Sequence, residues 1–331
     1  LAAAANATVD GRPSPGNYPF DDLDIDIFGY ISIDEIADFD AAEAYPNVSS
    51  YLPPHRAAGI RLFKVLDDNI ARRDITVRLA TAAKRLIRDT SGTVCGLSVE
   101  GASGARNIKA AHAVILACGG FEANAEMQSQ YWQEKPIMPV AFGGNTGDGI
   151  RMAQDVGADL WHMWHYHGTY GFRHPDPAYP FGIRTTRLPD WIPDHDTSGD
   201  RVLETFAASK NRIMPWIVVD QDGRRFMNEY PPYVQDTGHR PMELYDPVRQ
   251  GYPRLPAWLI VDDDGRQSGP LGFPTYNDKD VSYKWSPDNT AEVGLGILAQ
   301  ADSVAEMAAA MGTPADALAE TLAGWNRFCD A

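Results

Sequence analysis

The chain has 331 residues and a formal net charge of −16, with 44% hydrophobic and 22% charged residues. That length holds two domains, or one large core with an insertion, and the balance is that of a folded protein rather than a disordered one. A field of this sign repels nucleic acid and anionic membrane surfaces, but it leaves room for an anionic substrate held by a local basic cluster.

The first 55 residues are acidic and irregular, with "DGRPSPG" and "FDDLDIDIFG", and Ile31 to Ala37 is expected to form one short helix. "LAAAANA" lacks the basic leader and long apolar core of a signal peptide, and no run has the length of a transmembrane helix, so a cytoplasmic location is expected. Across residues 56–72, Ile60, Leu62, Phe63, Val65 and Leu66 supply the apolar face of a helix. "ITVRLA" reads as a strand. "AAKRLIRD" and "TVCGLSVE", joined at Ser91-Gly92, read as two strands with a tight turn. "NIKAAHAVILACGG" adds a short strand and then a buried one, in which Val114 to Cys118 run straight into Gly119-Gly120. Cys95 and Cys118 sit in apolar runs and are expected to be buried thiols. With Cys329 they make no CxxC pair, so neither a structural disulfide nor a zinc site is expected.

Helix, strand, hairpin and buried strand in this order suit an α/β nucleotide-binding domain. A strand ending in paired glycines can carry the backbone to a phosphate or a flat ring, although tight strand–helix packing explains the same glycines. The GxGxxG fingerprint and its ribose-binding acid are absent. Residues 122–134 read as a helix, and "FGGNTGDGI" opens a second one, with Thr146 or Asn145 expected to satisfy its first amides. Asp148 is itself anionic, hence a poor phosphate ligand. It suits a helix cap or an acceptor for a ribose hydroxyl or an amide.

From Trp161 to Pro193 aromatics, histidines and prolines crowd together and regular periods vanish. His162 and His165 would share one face of a helix, but no HExxH pattern and no nearby cysteine accompany them, so no metal is expected. The stretch reads either as an aromatic wall facing a substrate, with one histidine donating to a carbonyl, or as ordinary packing. "RIMPWIVVDQDGRRFMNE" reads as a strand, an Asp222-Gly223 turn and a second strand, and "AWLIVDDDGR" repeats that pattern. The tail reads as two helices, with Pro314 in the first turn of the second and Thr313 as its cap.

Three blocks, "AHAVILACGGFEANAEM", "GGNTGDGIRMAQDVGADL" and "DGRRFMNEYPPY", together resemble the flavoprotein family of soluble fumarate reductases and 3-ketosteroid dehydrogenases, as does "ADSVAEMAAAMGTPADALAETLAGWN" near the end. The resemblance implies an α/β fold: a partial Rossmann-like FAD-binding domain with an inserted α+β cap domain. Residues 1–159 would belong to the FAD-binding part, 160–275 to the cap or substrate domain, and 276–331 to a helical segment returning toward the FAD-binding domain. It implies FAD as cofactor, with Ala82 and Ala83 giving backbone contacts to adenine. Ala117, Gly119 and Gly120 would pass beside the diphosphate or ribose, and Asn145, Thr146, Gly147, Asp148 and Gly149 would run near the flavin. The family's N-terminal fingerprint and C-terminal glycine-rich closing segment do not occur in the sequence, so weak or absent flavin binding is expected of these 331 residues alone.

The same resemblance implies hydride exchange between flavin and a carbon beside an activated carbon–carbon bond. Fumarate reductases carry a proton-donating arginine a few residues after the Asn-Glu pair, where this sequence has Tyr233. The "NEYPPY" pattern is closer to the ketosteroid dehydrogenases, whose tyrosines line an apolar slot. Tyr233, with Tyr170 and His167, is therefore the candidate catalytic set, since a phenol can move a proton or polarise a carbonyl. The partners implied are a small-molecule substrate such as a steroid, and an electron acceptor or donor, with no nucleic acid and no transmembrane segment. Arg225 and Arg240 keep reduction of an unsaturated carboxylate open. A non-enzymatic remnant of the scaffold is the alternative outside enzymology.

Overall fold

A computed structural model describes residues 7–13, 29–44, 58–133, 137–140, 143–186, 215–229, 238–273 and 281–330. The chain divides into two compact units: residues 1–14, 26–131 and 142–163 in the first, and 15–25, 132–141 and 164–331 in the second.

The first unit opens with an antiparallel hairpin, β1 (Ala7–Pro13) and β2 (Gly29–Ile36). The helix expected over Ile31 to Ala37 is therefore a strand. Ile31 and Ile33 alternate with polar residues, and a partner strand turns that period of two into a ladder. A single helical turn, α1 (Ala41–Ala44), follows, and then α2 (Ala58–Ala71). Ile33 and Ile36 pack on Val65 of α2, and Arg61 donates to the Ile33 carbonyl at 3.3 Å. Val65 is 3% exposed, whereas Leu62, Phe63 and Leu66 of the same expected apolar face stand in solvent.

Three antiparallel strands come next: β3 (Thr81–Arg88), β4 (Val94–Gly101) and β5 (Gly104–Lys109). The strand expected over residues 75–80 is irregular chain, and pairing begins only at Thr81, after Ala80 in the left-handed region at φ 48°. The β3–β4 turn falls where expected. Asp89 Oδ1 accepts from the Ser91 hydroxyl and from the Ser91 and Thr93 amides, and these bonds, the Ser91 hydroxyl foremost, hold its carboxyl below the usual carboxylate range. Gly92 takes φ 90° to close the turn.

Residues 111–120 depart most from expectation. They form no strand, Ile115 is 88% exposed, and Cys118 is exposed rather than buried, while Cys95 is half-buried. A continuous apolar run becomes a strand only when ladder partners and cover on both faces are present. No described strand pairs with this one. Two short helices then complete the unit, α3 (Ala125–Tyr131) and α4 (Asp148–Gln154).

The second unit contains two small antiparallel ladders, β6 (Gly171–Arg173) with β7 (Gly182–Arg184) and β8 (Trp216–Val219) with β9 (Trp258–Val261). Its helices are α5 (Asp263–Gln267), α6 (Thr290–Leu295), α7 (Val304–Met311) and α8 (Ala315–Cys329). β8 is buried on both faces. Trp216 and Val218 join Tyr170, Ile183, Met227 and Leu271 on one side, while Ile217 and Val219 meet Ala308 of α7 and Leu318 of α8 on the other. The second strand expected after Asp222-Gly223 shrinks to one bridge, Val219 to Arg225. After β9 the Asp262 carboxylate accepts from the Gly265 amide, so the chain enters a helix rather than a turn. Pro314, not Thr313, occupies the cap position of α8; the Thr313 hydroxyl is buried and lacks a hydrogen-bond partner among the described residues. No helix among the described residues is long and apolar enough to cross a membrane.

Candidate functional site

In the first unit the Gly119-Gly120 segment and the Asn145–Gly149 loop are tied side by side. The Gly147 amide donates to the Gly120 carbonyl at 2.9 Å and the Ala123 amide to the Asn145 carbonyl at 3.0 Å. Asn145 Nδ2 donates to Glu122 at 2.5 Å, and Asn124 Nδ2 to the Thr146 carbonyl at 2.8 Å. The expected cap for α4 is absent. Asn145 is committed to Glu122, and Gly147 holds the cap position at φ 83° with no side-chain bond.

The glycines are demanded by this arrangement. Gly119 has φ 77°, and a Cβ on it would collide with the Asn145 side-chain amide; a Cβ on Gly147 would collide with Met127 Sδ. Gly149 packs on the Cys118 side chain. Ala117, Gly119 and Asp148 are exposed, Gly120, Asn145 and Thr146 half-buried, and Gly147 and Gly149 buried. The result is a side-chain-poor backbone surface at Ala117–Gly120, with one carboxylate, Glu122, two residues on and another, Asp148, next to the Gly147 that bonds Gly120. Such a surface fits the hydroxyl-bearing and flat portions of a dinucleotide better than its phosphates, which carboxylates repel. Ala82 and Ala83 lie on β3, and α4 lies against that strand. Ala83 borders a shallow depression on the sheet face, with Thr76, Arg78, Leu97, Val99 and Ile108.

In the second unit, Tyr170 and His167 sit on the segment between α4 and β6. Tyr170 is buried in the main core, its hydroxyl accepting from Trp216 Nε1 at 3.2 Å and donating to the Glu229 carbonyl at 3.4 Å. His167 is exposed, one residue before Gly168. His162 stacks on Trp161 in the first unit, whereas His165 and His174 lie in the second. Among the described residues no group of three or more His, Cys, Asp or Glu side chains gathers as a metal site. Tyr233 lies outside the described residues.

Its sequence neighbour Glu229 is well placed. The carboxylate is fully buried, accepts from the Val218 amide of β8 at 2.8 Å, and receives both Nε and Nη2 of Arg225. The Arg225 guanidinium lies 4.7 Å over the Trp325 ring. Arg225 is thus bound to Glu229 and stacked, while Arg240 is exposed and meets His165 Nδ1 at 3.0 Å. Sequence reasoning passed over His239, a buried imidazole between Gly168 and Glu243. No short motif surrounds it, and only its long-range partners mark it.

The sequence profile of a family described as FAD binding domain matches residues 29–331. The chain belongs to this family. Among its curated relatives, the 3-oxosteroid 1-dehydrogenase of Mycobacterium tuberculosis is 31% identical over 285 residues, which cover 82% of this chain and 43% of the relative. The cytochrome-type fumarate reductase of Shewanella frigidimarina is 27% identical over 269 residues, 81% of this chain and 38% of that protein. Among solved structures, 3-ketosteroid Δ1-dehydrogenase from Sterolibacterium denitrificans, in complex with 1,4-androstadiene-3,17-dione, superposes with a TM-score of 0.57 at 24% identity, covering 77% of this chain and 40% of that one. At that identity the likeness bears on fold alone. The chain spans less than half the length of these curated relatives. The mixed α/β fold expected from the sequence, a FAD-binding part with inserted segments, is the fold of this flavoprotein family.

Proposed function

We propose that the intact protein is an FAD-dependent oxidoreductase acting on an activated CH–CH bond, in the manner of a 3-ketosteroid dehydrogenase. One observation carries the choice of substrate class. The Asn228–Tyr233 segment offers a phenol where, by the family resemblance, carboxylate reducers have an arginine, and Arg225, just before that segment in sequence, is bound to buried Glu229. The similarity to 3-oxosteroid 1-dehydrogenase supports the same reading. Residues 1–159 would carry the cofactor, 160–275 the cap over it, and 276–331 the return toward it.

In this reading Ala82 and Ala83 would contact adenine through their backbone, Ala117, Gly119 and Gly120 would pass beside the diphosphate or ribose, the ribose being the better fit to the carboxylates nearby, and Asn145 to Gly149 would border the flavin. FAD supplies a hydride acceptor for the carbon β to the substrate carbonyl. Tyr233 takes the proton from the α carbon, so that a C=C bond forms as proton and hydride leave on separate paths. His167, exposed on its segment, donates to the carbonyl oxygen and stabilises the charge that develops there. Tyr170 acts from behind: its bond to the Glu229 carbonyl steadies the base of the segment that carries Tyr233. This reading also requires a separate electron acceptor as partner.

A second reading, reduction of an unsaturated carboxylate, is favoured by exposed Arg240 beside His165 and by the similarity to fumarate reductase. Steady-state turnover separates the two. A 3-oxosteroid with an artificial acceptor is expected to react, and fumarate-type acids with a reduced dye are not. Tyr233→Phe should lower steroid turnover roughly a hundredfold, the scale of a lost general acid–base group, with flavin content unchanged. Turnover of the acids alone would give the assignment to the second reading.

A further inference from the structure

His239 is buried at the entrance to the 3-10 turn Arg240–Met242, and both of its ring nitrogens face oxygen. Nδ1 lies 2.8 Å from the Gly168 carbonyl oxygen, and Nε2 lies 3.0 Å from Glu243 Oε1. A carbonyl and a carboxylate only accept. A neutral imidazole has one N–H and one lone pair, so either tautomer would aim a lone pair at an oxygen within hydrogen-bond distance. In a buried site that arrangement costs free energy without a return. Glu243 keeps contact with water, which favours its carboxylate form, so both partners of the ring act as acceptors. The Tyr166 ring lies 4.3 Å from the imidazole, a contact that favours a cation there.

We infer that His239 is a positioning residue, held as an imidazolium, that ties the Gly168 carbonyl to Glu243 and so sets the place of His167 and Tyr170 on either side. The inference rests on the reading of that segment as substrate-facing. The groups around the ring bear on its charge in known ways. From its own turn, Glu243 favours the cation and Arg240 opposes it, although Arg240 is bonded to His165. From the 164–170 segment come the Tyr166 ring, with His165 and His167 nearby in sequence. Arg254 donates to the Pro241 carbonyl at 2.6 Å and lies 4.7 Å over Phe226. As pH rises the ring loses one proton, and the link to Gly168 or to Glu243 is lost with it.

Selective 15N labelling of histidine in the chain tests the charge directly, with the His239 signal identified by its loss in His239→Gln. Both ring nitrogens are expected to carry protons at pH 7. In Glu243→Gln, a change at a partly exposed residue, the midpoint of that titration should fall, because the ring loses its anionic partner. Hydrogen exchange tests the positioning: the amides of residues 165–170 should exchange roughly tenfold faster in His239→Gln, the effect of losing one bond to a charged donor. In the intact enzyme the same substitution should raise KM for the steroid with flavin content unchanged. A ring nitrogen without its proton at pH 7, or unchanged exchange at 165–170, overturns the inference. A wild-type protein that turns over no substrate overturns the functional reading instead, and the ring spectrum and the exchange rates still decide the role of His239.

Discussion

At the scale of single residues, the most consequential groups are polar and buried, and each is satisfied by partners four to eleven residues away in sequence. Glu229 satisfies the free amide of Val218 and pairs with Arg225 through two nitrogens. Glu229→Gln would keep the shape and remove the charge, leaving a partly buried guanidinium without its counterion. A loss of about 2–3 kcal/mol is expected in urea unfolding, below the full cost of breaking a buried pair because Arg225 keeps some solvent. Glu292, equally buried, accepts from the Tyr283 hydroxyl at 2.7 Å and from the amide and hydroxyl of Ser286. Burial first, and Glu292 second, raise the Tyr283 phenol above its ordinary value. A raised phenol contributes its full stability below about pH 10, the unfolded value, and loses it as pH climbs toward the folded one. Tyr283→Phe should therefore cost about 1–2 kcal/mol at neutral pH, and the gap to wild type should narrow above about pH 10. Gly147→Ala should destabilise by more than about 1 kcal/mol, since φ 83° and the Met127 sulfur both oppose a Cβ; thermal melts of the two proteins measure it.

At the scale of elements, what the sequence discloses is period, and what it conceals is the partner. The β3–β4 hairpin was legible because Asp89, Ser91 and Gly92 write their own turn within five residues. The tail was legible as two helices, with Pro314 marking the start of the second; the cap of the first, Ser303, whose hydroxyl accepts from the Glu306 amide at 3.2 Å, emerges from the structure. The Gly119-Gly120 and Asn145–Gly149 segments were legible as neighbours only through family resemblance, and the bonds between them run over more than twenty residues. Two continuous apolar runs, Val114 to Cys118 and Trp216 to Val219, look alike on paper. Only the second has a ladder partner on one edge and packed side chains on both faces. Helix α2 shows the same limit. Its amphipathic period is real, yet of its described apolar residues only Val65 is buried, against Ile33 and Ile36 of β2. Val65→Ala should cost about 1–3 kcal/mol, whereas Leu62→Ala, at an exposed position, should stay within about 0.5 kcal/mol. Equal losses for the two would mean that the outer face of α2 is covered in solution.

At the scale of the molecule, the two units differ in how completely each covers its own apolar residues. The second has β8 closed between Tyr170, Leu271 and Trp285 on one side and α7 and α8 on the other, with Leu271, Val219 and Leu318 fully buried. The first leaves Leu79, Ile115 and Trp161 in solvent. Stability is local, and an amide exchanges at a rate set by the cheapest opening that frees it. Amides of Trp216 to Val219 and of the middle of α8 are therefore expected to exchange slowest in this chain. Those of residues 113–120, with no ladder and little cover, should exchange within the shortest times sampled. If the proposed cofactor role of Ala117, Gly119 and Gly120 is right, the intact protein loaded with FAD should protect residues 113–120 strongly and leave the β8 amides nearly as they were. Removing FAD from that protein should then return 113–120, and Asn145 to Gly149 with them, to faster exchange. Protection of 113–120 that is the same with and without FAD would assign those glycines to strand–helix packing alone.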